Sequence, residues 1–150
     1  MKRITLLFIL LSITFSCKTV DLSKDLESIQ FYDFNGSTIS LHEIKQQWNK
    51  RLQDDEEINT QITKLAIRKV TDRKTEEKKF MLIGYTEDNS TKTATEVVRF
   101  KDGAKLSNRT VTCKNCNENL APKLYDGYWV CTKKDKKYHS CTKISTLVTN

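Results

Sequence analysis

The residues best equipped for chemistry are four cysteines, all within the last 38 positions of a 150-residue chain. Their spacing is Cys113-x2-Cys116-x14-Cys131-x9-Cys141. Three chemistries fit. Paired thiols form disulfides, which hold small exported domains together. Alternatively, four thiolates, with His139 able to replace one, could hold zinc tetrahedrally. Cys113 and Cys116 make a good first zinc knuckle, but the nine residues between Cys131 and Cys141 are too many for the second half of a ribbon. A Cys-x-x-Cys pair can also act in thiol redox chemistry when a helix amino terminus stabilises its thiolate. Here Thr110, Val111 and Thr112 precede the pair, Asn117, Glu118 and Asn119 follow it, and neither side has helical periodicity. Disulfides are therefore the leading expectation. Four cysteines allow three connectivities. Residues 128–131 and 138–141 flank a charged turn at 132–137, which predicts a hairpin with Cys131 opposite Cys141. Cys113 with Cys116 would be the second pair.

Other chemistry is sparse. The chain has two histidines, His42 and His139, and four glycines. It has no Gly-x-Ser-x-Gly elbow, phosphate-binding loop or His-Glu-x-x-His motif, so no catalytic residue is assigned. Asp54, Asp55, Glu56 and Glu57 form a run of carboxylates that could face a divalent cation. No EF-hand spacing surrounds them, and a solvated turn is expected. Asp33-x-Asn35-Gly36-Ser37 lacks the sixth-position glycine and twelfth-position glutamate of such a loop.

Charge is unevenly spread. The formal net charge is +7, with 30% charged and 37% apolar residues. Residues 17–100 hold 14 bases against 15 acids, whereas residues 101–150 hold 10 bases against 4 acids. Lys133, Lys134, Lys136 and Lys137 crowd one turn near Tyr125, Tyr128, Trp129 and Tyr138. Such a mixture could touch an anionic surface or an envelope protein. The plainer reading is a solvated hairpin tip. Nucleic acid is not an expected partner.

The amino terminus points to export. Lys2 and Arg3 precede an uncharged, mostly apolar stretch at residues 4–15. It is shorter than the ~20 residues of a spanning helix and suits the core of a signal peptide. It ends at Ser16 and Cys17, followed by Lys18. This arrangement resembles the bacterial lipoprotein signal, in which a small residue precedes the lipidated cysteine. Phe15 and Thr14 depart from that family's usual small residue and leucine. The resemblance covers residues 1–18 and implies cleavage before Cys17, diacylglycerol on its thiol and acylation (palmitate-type) of its amine. Several chains would anchor the body without a spanning segment. Lys18 is not the aspartate that serves as a retention signal, so the resemblance favours the outer membrane. A plain secretory signal is the alternative. Five cysteines leave one over, and lipid on Cys17 would leave four to pair.

The elements that must position these groups follow from pattern. Residues 1–16 are read as the signal, 17–28 as the lipidated cysteine and a polar tether, and 29–150 as one domain with a Cys-rich part at 107–150. Asn35 and Gly36 between apolar runs predict a hairpin with positive φ at both positions. Ser40 and Glu43 form a capping box for a helix with an apolar stripe of Leu41, Ile44, Trp48 and Leu52. β-Branched segments at 62–71, 80–86, 93–100 and 107–113 predict strands joined as an antiparallel meander, the first also fitting a helix. The expected class is α+β: one amphipathic helix on a meander, with a Cys-rich β-hairpin extension. Helix followed by meander is similar to the cystatin-like order, a likeness of arrangement alone. Residues 34–41 look like a strand of exported thioredoxin-like proteins, but no strand ending in Cys-x-x-Cys follows. The function expected is that of a membrane-tethered binding or structural module of the cell envelope, of inhibitor or immunity type. A zinc-binding module and a small thiol-redox enzyme are the alternatives. No cofactor is expected beyond the covalent lipid, with zinc as the alternative.

Overall fold

Ser40 opens the helix by reciprocal capping. Its Oγ accepts from the Glu43 amide at 3.2 Å, and Glu43 Oε2 accepts from the Ser40 amide at 2.8 Å. In the computed structural model, which describes residues 21–22, 25–116, 120–131 and 141–148, helix α1 then runs Leu41–Asp54. Ile44, Trp48 and Leu52 are buried along one face, as the stripe requires.

The sheet is built on the predicted strands. β1 (Phe31–Tyr32) and β2 (Thr38–Ile39) precede the helix. β3 (Ile62–Thr71), β4 (Lys78–Thr86), β5 (Lys92–Phe100) and β6 (Gly103–Lys114) follow it as an antiparallel meander. Residues 62–71 form strand, not helix. The sheet order is β2-β1-β6-β5-β4-β3, and β9 (Thr142–Leu147) also pairs with β6. β1 joins β6 in parallel, so the sheet is mixed rather than wholly antiparallel. β1 and β9 share one edge of β6. β1 pairs with Ala104 and Lys105, and β9 pairs with Arg109–Lys114.

Strand alternation supplies two cores, because successive side chains point to opposite faces. Leu82 faces α1 and joins Phe31, Ile44, Trp48, Leu52 and Ile62. Its neighbours Met81 and Ile83 face the other way, with Ala94 and Val111. That second face is covered by a small hairpin of β7 (Lys123–Tyr125) and β8 (Tyr128–Val130), through Leu124 and Trp129.

The chain departs from the sequence reading in four places. Residues 128–130, expected to pair with 138–141 (of which 138–140 lie outside the described residues), fold back on Lys123–Tyr125 around Asp126 and Gly127, both at positive φ. This Asp-Gly turn matches the right-handed strand twist. At the first hairpin only Gly36 takes positive φ (90°). There Asp33 Oδ1 accepts from the amides of Asn35 and Ser37, both at 2.9 Å, and that bonding fixes a longer turn. Thirdly, the stretch expected to be tether reaches the core. Leu22 is 1% exposed, and Asp25 caps a 3-10 turn at Leu26–Ser28. Fourthly, the disulfide partners differ from the expected ones, as described next.

Candidate binding cleft and disulfide pair

Alternation along β6 decides the disulfides. Thr110 and Thr112 point toward the helix, so Cys113 points to the opposite face, where Cys131 follows the end of β8. The bond formed is Cys113–Cys131, with Cα atoms 5.6 Å apart. β9 runs antiparallel beside β6, with Lys114 opposite Thr142. One step further sets Cys141 opposite Asn115, whose positive φ turns the chain so that the next residue, Cys116, forms the second disulfide with Cys141, with Cα atoms 4.6 Å apart. The expected Cys113–Cys116 and Cys131–Cys141 pairs are therefore corrected. Cys113 lies within β6 on the face where Cys131 arrives, whereas Cys116 lies past the end of the strand, and β8 takes Lys123–Tyr125 as its partner. The two bonds share a buried cluster with Leu120. The sulfurs of Cys113, Cys131 and Cys141 lie within 4.8 Å of one another. Each is held in a disulfide, so the thiolates zinc needs would have to be regenerated by reduction.

The other expected site residues separate. Cys17, His139, Lys133, Lys134, Lys136 and Lys137 lie outside the described residues. His42 is exposed on the first turn of α1. Of the four consecutive acids, Asp54, Asp55 and Glu57 are exposed, but Glu56 is buried.

Glu56 leads to the site the sequence reading missed. Arg51, on the buried face of α1 one turn after Trp48, is 6% exposed. Its Nε donates to Glu56 Oε1 at 3.0 Å, and its Nη2 donates to Thr93 Oγ1 at 2.7 Å. Thr112 Oγ1 donates to the same Thr93 hydroxyl at 3.0 Å, and Thr146 Oγ1 donates to Glu56 Oε1 at 2.9 Å. Thr95 Oγ1 faces the Ser107 and Arg109 carbonyls at 3.1 and 2.8 Å. A polar layer thus lies between the end of α1 and strands β5, β6 and β9. Burial draws the Arg51 guanidinium below its ordinary range, and the Glu56 carboxylate beside it pulls the other way. Two buried atoms have no hydrogen-bond partner among the described residues: Arg51 Nη1 and Glu56 Oε2. The guanidinium carbon is 5.5 Å from the Trp48 ring centre.

This layer forms part of the floor of a cleft of about 440 Å³. Trp48 and Arg51 of α1 line one side, Ile39 and Phe34 a second, and Thr146, Leu147 and Val148 a third. Along the base, Thr95 pairs with Thr110 and Val97 with Leu106, so residues 107–109 bulge opposite Glu96. The bulge falls in the stretch of β6 between its pairing with β1 and with β9, which opens the sheet edge there. The lining holds no histidine or cysteine among the described residues. One sequence signal pointed to it: Arg51 lies at helical spacing from Trp48 on the apolar stripe, where a cation needs a buried partner. Threonines at alternate positions in β5 and β6 were the second signal.

No protein-family model, no curated protein and no solved structure matches the chain.

Proposed function

We propose that this chain is an exported binding module of the cell envelope, held at a membrane by lipid on Cys17 and offering the cleft beneath α1 to a ligand. The observation that carries the reading is the pairing of all four cysteines of the body in two disulfides. Such bonds are consistent with an oxidising compartment outside the cytoplasm. They leave Cys17 as the odd thiol, at the position where the amino-terminal signal resembles a lipoprotein signal. Among the described residues no helix is long and apolar enough to cross a membrane. Acyl chains would supply the attachment, at about 0.8 kcal/mol per buried methylene.

The binding part of the proposal rests on the cleft. Its size lies within the ~300–1,000 Å³ of small-molecule sites. Its lining mixes apolar groups such as Trp48 and Leu106 and the hydroxyls of Ser107, Thr95, Thr110 and Thr146 with the charged Asp33, Lys50, Arg51 and Asp55, and among the described residues no histidine stands in it to activate a hydroxyl as nucleophile. Growth with a labelled fatty acid tests the anchor. The wild-type chain should take up label and sediment with membranes, and Cys17→Ala should do neither. Label retained in Cys17→Ala would overturn it.

A zinc-binding form is the second reading, favoured by the three sulfurs within 4.8 Å. It would arise only after reduction. Metal analysis of the reduced protein tests it, and absence of bound zinc there ends it.

A further inference from the structure

We propose that the outer edge of β3 pairs with an extended acidic segment of a partner protein, which joins the sheet as a further strand. The inference goes beyond the cleft, since no residue of β3 lines it.

β3 ends the sheet. In the order β2-β1-β6-β5-β4-β3, its hydrogen-bonded neighbour is β4 alone. An antiparallel strand turns the amide and carbonyl of alternate residues away from a single neighbour. At the start of β3 the helix supplies a partner, the Ile62 amide donating to Asn49 Oδ1 at 2.6 Å. Past the irregularity between Ile62 and Lys64 the register runs unbroken to Thr71, and among the described residues no other strand pairs with that edge. Proline, a short strand or a bulge in mid-strand ordinarily closes such an edge. β3 is ten residues long and has neither proline nor bulge between Lys64 and Thr71. Leu65 and Ile67 on the helix face, and Ala66 and Val70 on the second face, are half-buried. A further strand would cover the rest of them.

Charge is the remaining guard, and it selects the partner. Lys64 and Arg68 stand on the second face and Lys69 on the helix face. All three are exposed, the strand has no carboxylate, and the β4 residues opposite them are Tyr85, Met81 and Phe80. The nearby carboxylates of Glu77 and Glu96 are held by Lys79. A second copy would match in shape and not in charge. Antiparallel pairing centred on Ala66 would set Lys64 against Arg68 at both ends, and like charges directly opposite are destabilising. An acidic strand meets the reverse condition. It would place carboxylates opposite Lys64, Arg68 and Lys69 and apolar or β-branched groups opposite Leu65, Ala66 and Ile67. Main-chain bonds would supply the docking and the alternate side chains its selectivity.

The test titrates full-length protein in detergent into a fluorescein-labelled peptide, Thr-Glu-Glu-Val-Thr-Val-Glu-Thr, and reads anisotropy. Binding should be saturable and about ten-fold tighter than that of the same peptide with each Glu replaced by Lys. Lys64→Glu with Arg68→Glu, both exposed changes, should reverse that order. Two further peptides carry N-methyl groups on alternate amides, one in each phase. The phase facing β3 should abolish binding, and the other should leave it intact. Hydrogen exchange should slow at alternate amides between Lys64 and Thr71 when the unmethylated peptide is bound. No saturable binding of the acidic peptide would overturn the inference. So would binding that neither methylation phase disturbs, which would be charge attraction without strand pairing. Protection of the β3 amides by self-association without peptide would give the edge to a second copy and likewise overturn it. The methylated peptides act on the wild-type protein, so they decide even if the charge-reversed variant does not fold. None of these outcomes bears on the cleft.

Discussion

The amide of Gly127 donates to Asp72 Oδ2 at 2.7 Å, tying the small hairpin on the second face to the β3–β4 turn, 55 positions earlier. Asp72 Oδ1 accepts three more amides, from Lys74, Thr75 and Asp126, at 2.8, 3.1 and 3.0 Å. One carboxylate therefore shapes its own turn and receives the β7–β8 turn. Lys74 Nζ adds a 2.7 Å contact to Asp126, which is exposed and contributes little.

Asp72 makes stability depend on acid. The Gly127 amide above all, with the other three, holds its carboxyl well below the usual carboxylate range. Its folded pKa is thus lower than the unfolded value of about 3.9. The stabilisation is present above that unfolded value and is lost as pH falls from there toward the folded one. Urea unfolding of wild type and Asp72→Asn, followed from pH 7 to pH 2, checks this. The variant should be the weaker at pH 7, and the gap should close below about pH 4. A gap constant with pH would show that the charge is not responsible.

Gly103 sits where β1 meets β6. The Ala104 amide donates to the Gln30 carbonyl at 2.8 Å, and a β-carbon on Gly103 would collide with that same carbonyl. The backbone there cannot yield without losing the parallel pairing of Phe31 with Ala104. Gly103→Ala should cost about 1–3 kcal/mol in urea unfolding. An unchanged midpoint would mean that β1 can withdraw freely.

How much of this was legible before the structure depends on whether a signal is local. The capping box at Ser40, the stripe through Trp48 and the four meander strands are short-range patterns, and each forms where expected. The parallel docking of β1 on β6 has no such mark, since Phe31 and Ala104 are far apart in the chain. Asp72 carries no mark beyond that of a turn residue, because two of its four donors, the Asp126 and Gly127 amides, come from the β7–β8 turn more than 50 positions later. Glu56 was hidden in a run of acids, and its burial depends on Arg51, five residues earlier, and on Thr146, 90 residues later. The cysteines were recognised as a set, but their pairing needed the face of Cys113 and the register of β9, which are tertiary facts.

The disulfide pairing is open to direct mapping. Proteolysis without reductant should yield one linked peptide pair containing Cys113 and Cys131 and a second containing Cys116 and Cys141. Linked pairs of Cys113 with Cys116 and Cys131 with Cys141 would reject the β6–β9 register. The sequence separations closed are 18 and 25 residues. Constraint of the unfolded chain by loops of that size contributes on the order of 3 kcal/mol each. Cys113→Ala with Cys131→Ala should therefore unfold at lower urea than wild type, and Cys116→Ala with Cys141→Ala should lose a similar amount.

The Arg51–Glu56 pair separates ordinary stability from specificity. Both side chains are buried, at 6% and 1% exposure, and their Nε–Oε1 distance is 3.0 Å. Removing one partner strands the other charge away from water, with only a threonine hydroxyl as its hydrogen-bond partner. Glu56→Ala or Arg51→Met alone should thus cost roughly 3–5 kcal/mol. Replacing both with residues of similar volume, Arg51→Met with Glu56→Met, removes the desolvation cost together with the attraction, and commonly restores or raises stability. The double variant should therefore be more stable than either single one, a coupling read from a cycle of four urea curves. Additive losses would mean that the two residues act through Thr93 and Thr146 separately. If the double variant recovers fully, folding does not require this ion pair.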